Sequence, residues 1–203
     1  MPVILICFIV FILWFRVKSK QADKLSNKSK EEFLKREHEA NFTRKKDISG
    51  LDYITVPEDA LPFSETDDEE EARFQNNTKT IISRKMLNLS GMTNTDIKLE
   101  YGHANLDILS EYDQNFSAFL TSLDRWGNYL YEKGDTKRSM QILEYAVNSG
   151  SDITSTFITL AKIYLNNNEP EKVTSLIDIV ENSDFFMKDT IVSKLVRLIQ
   201  DFT

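Results

Sequence analysis

An all-α fold follows from three features of the chain. Apolar residues between 120 and 187 recur at a 34-residue offset, helix-ending residues fall in register with that recurrence, and residues 2–15 form an unbroken apolar run. Aligned at the offset, Trp126-Gly127 meets Leu160-Ala161, Leu130-Tyr131 meets Tyr164-Leu165, Leu143 meets Ile177 and Ala146 meets Val180. Large and small apolar residues in matching slots mark a stacked helical repeat, because one helix pair cannot bury its apolar face alone.

The stretch Trp126-Gly127-Asn128-Tyr129-Leu130-Tyr131-Glu132-Lys133-Gly134-Asp135 resembles the first helix and turn of a tetratricopeptide repeat (TPR). Gly127 and Ala161 take that family's small slot, Leu130 and Tyr164 the bulky slot after it, and Ala146 the second small slot of the first copy. Ser139, Val173 and Val180 stand where the family has Ala, and Ser151 and Phe185 where it has the closing Pro. The resemblance implies two helical hairpins, 120–153 and 154–187, packed through Trp126, Gly127, Leu130, Leu143, Ala146, Leu160, Ala161, Tyr164, Ile177 and Val180.

Local signals fit the register. Gly134-Asp135 breaks the first hairpin and offers Asp135 as N-cap of a helix over 136–148, which Asn148-Ser149-Gly150 stops. Asn166-Asn167-Asn168 makes the second turn, and Pro170 suits the first position of the next helix. Ile191, Leu195, Leu198, Ile199 and Phe202 recur at helical spacing and predict a closing helix within 188–203. Two copies fall short of the three a solenoid usually needs, so an upstream segment has to cover the other end. Residues 105–119 are the candidate, and the first repeat helix is expected to begin near Asp113.

Composition sets outer limits. With 41% apolar and 28% charged residues, 203 residues accommodate one domain of somewhat over 100 residues plus appendages. A single cysteine, Cys7, excludes an internal disulfide, and His38 and His103 lack the ligand spacing of a zinc site, so no metal or cofactor is expected.

The run over 2–15 spans about 20 Å as a helix, short of the roughly 30 Å hydrocarbon core. The flanks of a cleaved signal peptide are missing, which favours an uncleaved transmembrane anchor over 1–17, extended by Arg16 and with Trp14 at the interface. Residues 16–46 carry eleven Lys and Arg against five acids, all after the span. The positive-inside rule then puts the C-terminal part in the cytoplasm.

A basic, helical stalk is expected over 18–46, acting as a spacer or attracted to anionic lipid. Residues 47–74 read as an extended and then acidic linker, where Pro57 and Pro62 oppose helix and the acids 67–71 open a helix through 72–87. Within it the apolar stretch 51–63 is expected either to dock on the protein's own helices or to bind a partner. Residues 75–119 are read as upstream helices packing on the repeats, with Thr95 or Asp96 capping a short helix that Gly102 ends.

No phosphate loop, nucleophile turn or His-centred catalytic motif is present, so catalysis is not expected. Residues 98–203 hold sixteen acids against ten bases, which disfavours nucleic acid. The TPR resemblance implies a groove for a protein or peptide, lined by Thr121, Asp124, Asn128 and Tyr131 in copy one and Ser155, Ile158, Lys162 and Leu165 in copy two. Asn128 matches the residue such grooves use on a peptide backbone, while Asp124 replaces the Lys of carboxylate-gripping members. The whole chain resembles uncharacterised bacterial single-pass membrane proteins with a cytoplasmic TPR-like domain. A membrane-anchored scaffold or adaptor is therefore expected at the bacterial plasma membrane. The alternatives are an N-anchored receptor for basic amphipathic presequence-like helices and an extracytoplasmic membrane-protein assembly factor.

Overall fold

The computed structural model describes residues 2–57 and 59–202, with the backbone alone described at 2–7, 9, 10, 13, 17 and 21–27. The helices are α1 (Pro2–Asn41), α2 (Glu69–Ile82), α3 (Asn94–Tyr101), α4 (Leu106–Glu132), α5 (Thr136–Asn148), α6 (Thr154–Asn166), α7 (Pro170–Glu181) and α8 (Lys188–Phe202), with a 3-10 turn at His103–Asn105. Among the described residues no strand forms, and extended pairing is limited to an isolated antiparallel bridge between Ile54 and Met86. The chain divides into two units, Met1–Ser49 with Met92–Asp107 and Gly50–Gly91 with Ile108–Thr203. Residues 92–107, expected among the helices that pack on the repeats, thus cluster with the N-terminal segment.

In the first unit α1 is continuous for 40 residues, about 60 Å. The expected boundary between anchor and stalk at 17/18 therefore lies inside one helix. Among the described residues no helix is long and apolar enough to cross a membrane. The far end of α1 holds α3: Glu37 accepts from Thr95 Oγ1 at 2.6 Å and pairs with Lys98, Arg36 pairs with Asp96, and Ala40 is fully buried. The Lys98 ammonium, with the Thr95 hydroxyl, holds the Glu37 carboxyl below its usual range. Thr93, rather than Thr95 or Asp96, caps α3, in a capping box with Asp96. Gly102 ends it at φ 92°, where an added Cβ would strike the Arg44 carbonyl and lie 2.7 Å from Lys45 Cα.

The second unit is built from offset helix pairs. Glu132 and Asn166 end α4 and α6, and Thr136 and Pro170 open α5 and α7, each pair 34 residues apart. Asp135 caps α5 by accepting the Arg138 amide at 3.1 Å. Asn168 turns the chain into α7 in the left-handed region at φ 60°. Apolar side chains gather in two clusters that share α5. Ile142 and Ala146 face the first, with Phe116, Phe119, Leu123, Trp126 and Leu130 of α4, while Leu143 and Val147 face the second, with Phe157, Leu160, Ala161, Val173, Leu176 and Val180. An i, i+4 pair on each side makes α5 the partition between them. α8 closes the second cluster through Ile191 and Leu195, both fully buried; Phe202, expected in that core, is exposed.

The upstream cover is not the expected one. Residues 106–119 are the first turns of α4 itself, a 27-residue helix that starts at Leu106 rather than near Asp113. The first cluster is covered instead by Ile81 of α2, by Met86 just beyond it, and by Val56 and Leu61, so the stretch 51–63 docks on the protein's own helices, one of its two expected fates. Phe63 stacks on Trp126 with ring centroids 5.2 Å apart, and Lys79 sits over the Phe63 ring. α2 is also shorter than expected, beginning at Glu69 and ending at Ile82, before the Ile54–Met86 bridge. Asp68 caps it by accepting the amides of Glu70 at 3.0 Å and Glu71 at 3.2 Å.

The crossing of α4 and α5 is close. Ser139, where the TPR pattern has Ala, is fully buried and donates to the Gly127 carbonyl at 2.7 Å, so its hydroxyl is satisfied inside the contact. A Cβ on Gly127 would lie 2.5 Å from Leu143 Cδ2 and 2.7 Å from Cγ. Replacing a helical Gly by Ala gains up to about 1 kcal/mol in propensity, against about 1–3 kcal/mol for overpacking. Leu143 is fully buried and the contact reaches its Cγ as well as the terminal Cδ2, so the clash dominates. Gly127→Ala is expected to lower stability by about 1–2 kcal/mol in urea titration; an unchanged or raised midpoint contradicts this packing.

Candidate functional site

The slots read as a partner groove lie on α4 and α6. Thr121, Asp124, Asn128 and Tyr131 stand on α4 at i, i+3, i+7 and i+10, and Ser155, Ile158, Lys162 and Leu165 stand on α6 at the same spacing. Helical periodicity therefore gives each set one face. The two faces are bound to each other by hydrogen bonds. Asp124 Oδ1 accepts from Ser155 Oγ and Thr156 Oγ1, both at 2.8 Å, and from Asn128 Nδ2 at 2.9 Å. Asn128 Nδ2 also donates to the Asp124 carbonyl at 2.7 Å, and its Oδ1 accepts from Thr159 Oγ1 at 2.5 Å.

This arrangement changes what the face can do. An amide that grips a peptide backbone needs a free donor and a free acceptor. Asn128 has both engaged internally, and the Asp124 carboxylate is shared among three donors. Among the other slots, Leu165 is buried, while Tyr131 and Ile158 are half-buried against the second cluster. Thr121 bonds back to the Ser117 carbonyl at 2.9 Å. Lys162 is exposed with no partner among the described residues. Of the eight slots, Ser155 and Lys162 present exposed polar side chains, beside the half-buried rings and methyls of Tyr131 and Ile158.

The packing set comes together in the core. Trp126, Gly127, Leu130, Leu143, Ala146, Leu160, Ala161, Tyr164 and Val180 are buried, and Ile177 is half-buried at its edge. Tyr164 donates its hydroxyl to Glu144 at 2.7 Å, which joins α6 to α5, and burial together with Glu144 raises its phenol above the usual range.

Sequence reasoning missed the polar groups that hold α2 in place. Arg138 on α5 donates to Glu71 at 2.6 Å, to Asp135 at 2.6 Å and to Ser64 at 2.9 Å. Gln75 donates to the same Glu71 at 2.9 Å, and Thr78 donates to Ser122 of α4 at 3.3 Å. One helical turn away, Tyr129 donates to Asp68 at 2.6 Å and Lys133 lies 3.3 Å from the same carboxylate oxygen. Apart from Arg138 with Asp135 and Gln75 with Glu71, these partners are more than 40 residues apart in sequence, beyond any local pattern. The acid run that supplies Asp68 and Glu71 was visible, but not what each carboxylate meets. Among the described residues no group of three or more His, Cys, Asp and Glu side chains converges as a metal site. Compared with known proteins, the chain matches no family model, no curated protein and no solved structure.

Two outcomes follow from these bonds. Asn128→Ala breaks the bridge between α4 and α6 and is expected to cost about 1–2 kcal/mol, read as a lower thermal midpoint; an unaltered midpoint contradicts the bridge. The Tyr129 hydroxyl, then the Glu71 amide and the Lys133 ammonium, hold the Asp68 carboxyl down to about 2. A carboxyl depressed in the folded state stabilises fully above its unfolded value, about 3.9, and that contribution is lost as pH falls through the folded value. Tyr129→Phe is expected to shift the acid-induced loss of stability towards pH 4, and coincident acid titrations of the two proteins would refute the assignment.

Proposed function

We propose that the protein is a non-catalytic scaffold held at a membrane by the first turns of α1, with its helix pairs offering a surface to a protein partner. The observation that carries the reading is at the start of α1. Phe8, Phe11, Ile12, Trp14 and Phe15 are all exposed, and the exposed cations Arg16, Lys18 and Lys20 follow directly. Several large apolar side chains together on one short stretch need a cover other than water. A collar of cations beside them fits an anionic bilayer surface, where each contributes on the order of 1 kcal/mol. The apolar part of α1 is shorter than a bilayer core, so insertion requires Arg16 to reach the headgroups along its stem or the bilayer to thin locally.

The scaffold half of the proposal draws on the 34-residue offset between helix pairs and on the resemblance to TPR domains. With Asp124 and Asn128 engaged internally, the contact surface that fits best is Tyr131, Ile158 and Lys162, a mildly apolar strip bearing one cation. An acid-bearing partner segment suits it better than a basic helix, because Asp124 no longer offers a free carboxylate.

Flotation of the full chain with vesicles tests the tether. The full chain is expected to float with vesicles containing anionic lipid, and Phe11→Asp with Trp14→Asp to stay behind. A wild-type chain left at the bottom of the gradient rejects it. For the contact strip, a photo-crosslinker at position 162 is expected to yield adducts in native membranes where one at position 137, also exposed but on α5, does not. Equal labelling at both positions removes the strip from consideration.

A further inference from the structure

The face of α2 turned to α4 leaves a cleft of about 470 Å³ whose walls carry Arg73, Asn76 and Asn77 from α2 and Ser122 and Arg125 from α4, over the ring of Phe74. Arg73, Asn76 and Asn77 follow the i, i+3, i+4 spacing that places them on one helix face, and Ser122 and Arg125 are one turn apart. Neighbouring cations of this unit are engaged: Arg138 with Glu71, Lys133 with Asp68, Lys79 over Phe63 and Lys85 over Tyr53. Among the described residues Arg73 and Arg125 have no ion-pair or hydrogen-bond partner, nor do the Asn76 and Asn77 side-chain amides. In a chain of net charge −7, two unpaired guanidinium groups on the walls of one cleft stand out against the surrounding field.

We propose that this cleft binds a phosphomonoester. Guanidinium forks match oxyanions with paired N–H bonds, and the two carboxamides add N–H donors at the same walls. Two guanidinium groups and two amides supply more donors than the two oxygens of a carboxylate accommodate well, whereas the three terminal oxygens of a phosphate can receive them. Glu70 on the rim opposes one of the two positive charges and leaves the walls net positive. The cleft is larger than a phosphate ion and Phe74 is among its lining residues, which leaves room for the ester's organic body. Phe74 packs against Tyr129, 5.1 Å between centroids, and Ser122 is held by Thr78 and the Phe119 carbonyl, so these two lining residues are fixed. The inference does not depend on the Tyr131–Lys162 strip or on the membrane tether.

Isothermal titration of the full chain in detergent tests it, with phenyl phosphate, glycerol phosphate and benzoate as probes. Saturable binding of a phosphate ester at millimolar or lower concentration is expected, with benzoate at least tenfold weaker. Preference for phenyl over glycerol phosphate identifies an aryl ester such as a phosphotyrosine side chain, and the reverse an aliphatic one. Arg73→Gln and Arg125→Gln are each expected to weaken binding about tenfold or more. Arg84→Gln, an exposed arginine outside the cleft, is expected to leave it unchanged. Circular dichroism melts of the same variants check folding, since both arginines are exposed and outside the core. No saturable phosphate binding by the wild type, equal binding of benzoate, or binding indifferent to both cleft arginines overturns the proposal.

Discussion

A pair of antiparallel helices has two apolar faces and can cover only one with its own turn, and the second unit is arranged around that shortage. α5 illustrates it, because Ile142 and Ala146 face one apolar cluster and Leu143 and Val147 the other. Each cluster then needs an outer wall. On the C-terminal side α8 supplies it with Ile191 and Leu195; on the N-terminal side α2 and residues 54–63 do, with Phe63 laid flat on Trp126. The second wall is also fastened by charge. Arg138 reaches from the hairpin to Glu71, whose side chain is only 7% exposed, and Tyr129 reaches to Asp68 at the cap of the same helix. A buried carboxylate is costly unless paired, so Glu71 and Arg138 act against any arrangement in which α2 slides or lifts.

The same need for contact between successive pairs accounts for the polar face of α4 and α6. Asp124 and Asn128 meet Ser155, Thr156 and Thr159, and every one of these groups gains a partner in doing so. Asp124 and Asn128, expected from the sequence to line a partner groove, are here part of the framework. The framework leaves over Lys162 and its half-buried neighbours on one side, and Arg73 and Arg125 of α2 and α4 on another.

α1 follows a different balance. Helical hydrogen bonding carries its backbone for 40 residues, but apolar side chains occupy only the first third and the remainder alternates charges at helical spacing. Its end near Asn41 is ordered by tertiary contacts, chiefly Glu37 with Lys98 and Thr95, whereas its beginning presents bare aromatic rings.

The sequence by itself determined the helical class, the 34-residue offset, the cap at Asp135, the first-position Pro170 and the burial of Trp126, Leu143, Leu160 and Val180, because periodicity, turn chemistry and side-chain volume act over a few residues. It misplaced the start of α4, since nothing local stops a helix between Leu106 and Asp113, and the end of α2, since the Ile54–Met86 bridge that draws the chain out of helix lies outside the local window. Only the tertiary structure decided which segment covers the first hairpin, that Asn128 is bonded inward, and that Arg138, Glu71, Arg73 and Arg125 gather at α2. Those outcomes depend on side chains brought together from 30 to 75 positions apart, where a pattern read along the chain records that a charge exists but not what it faces.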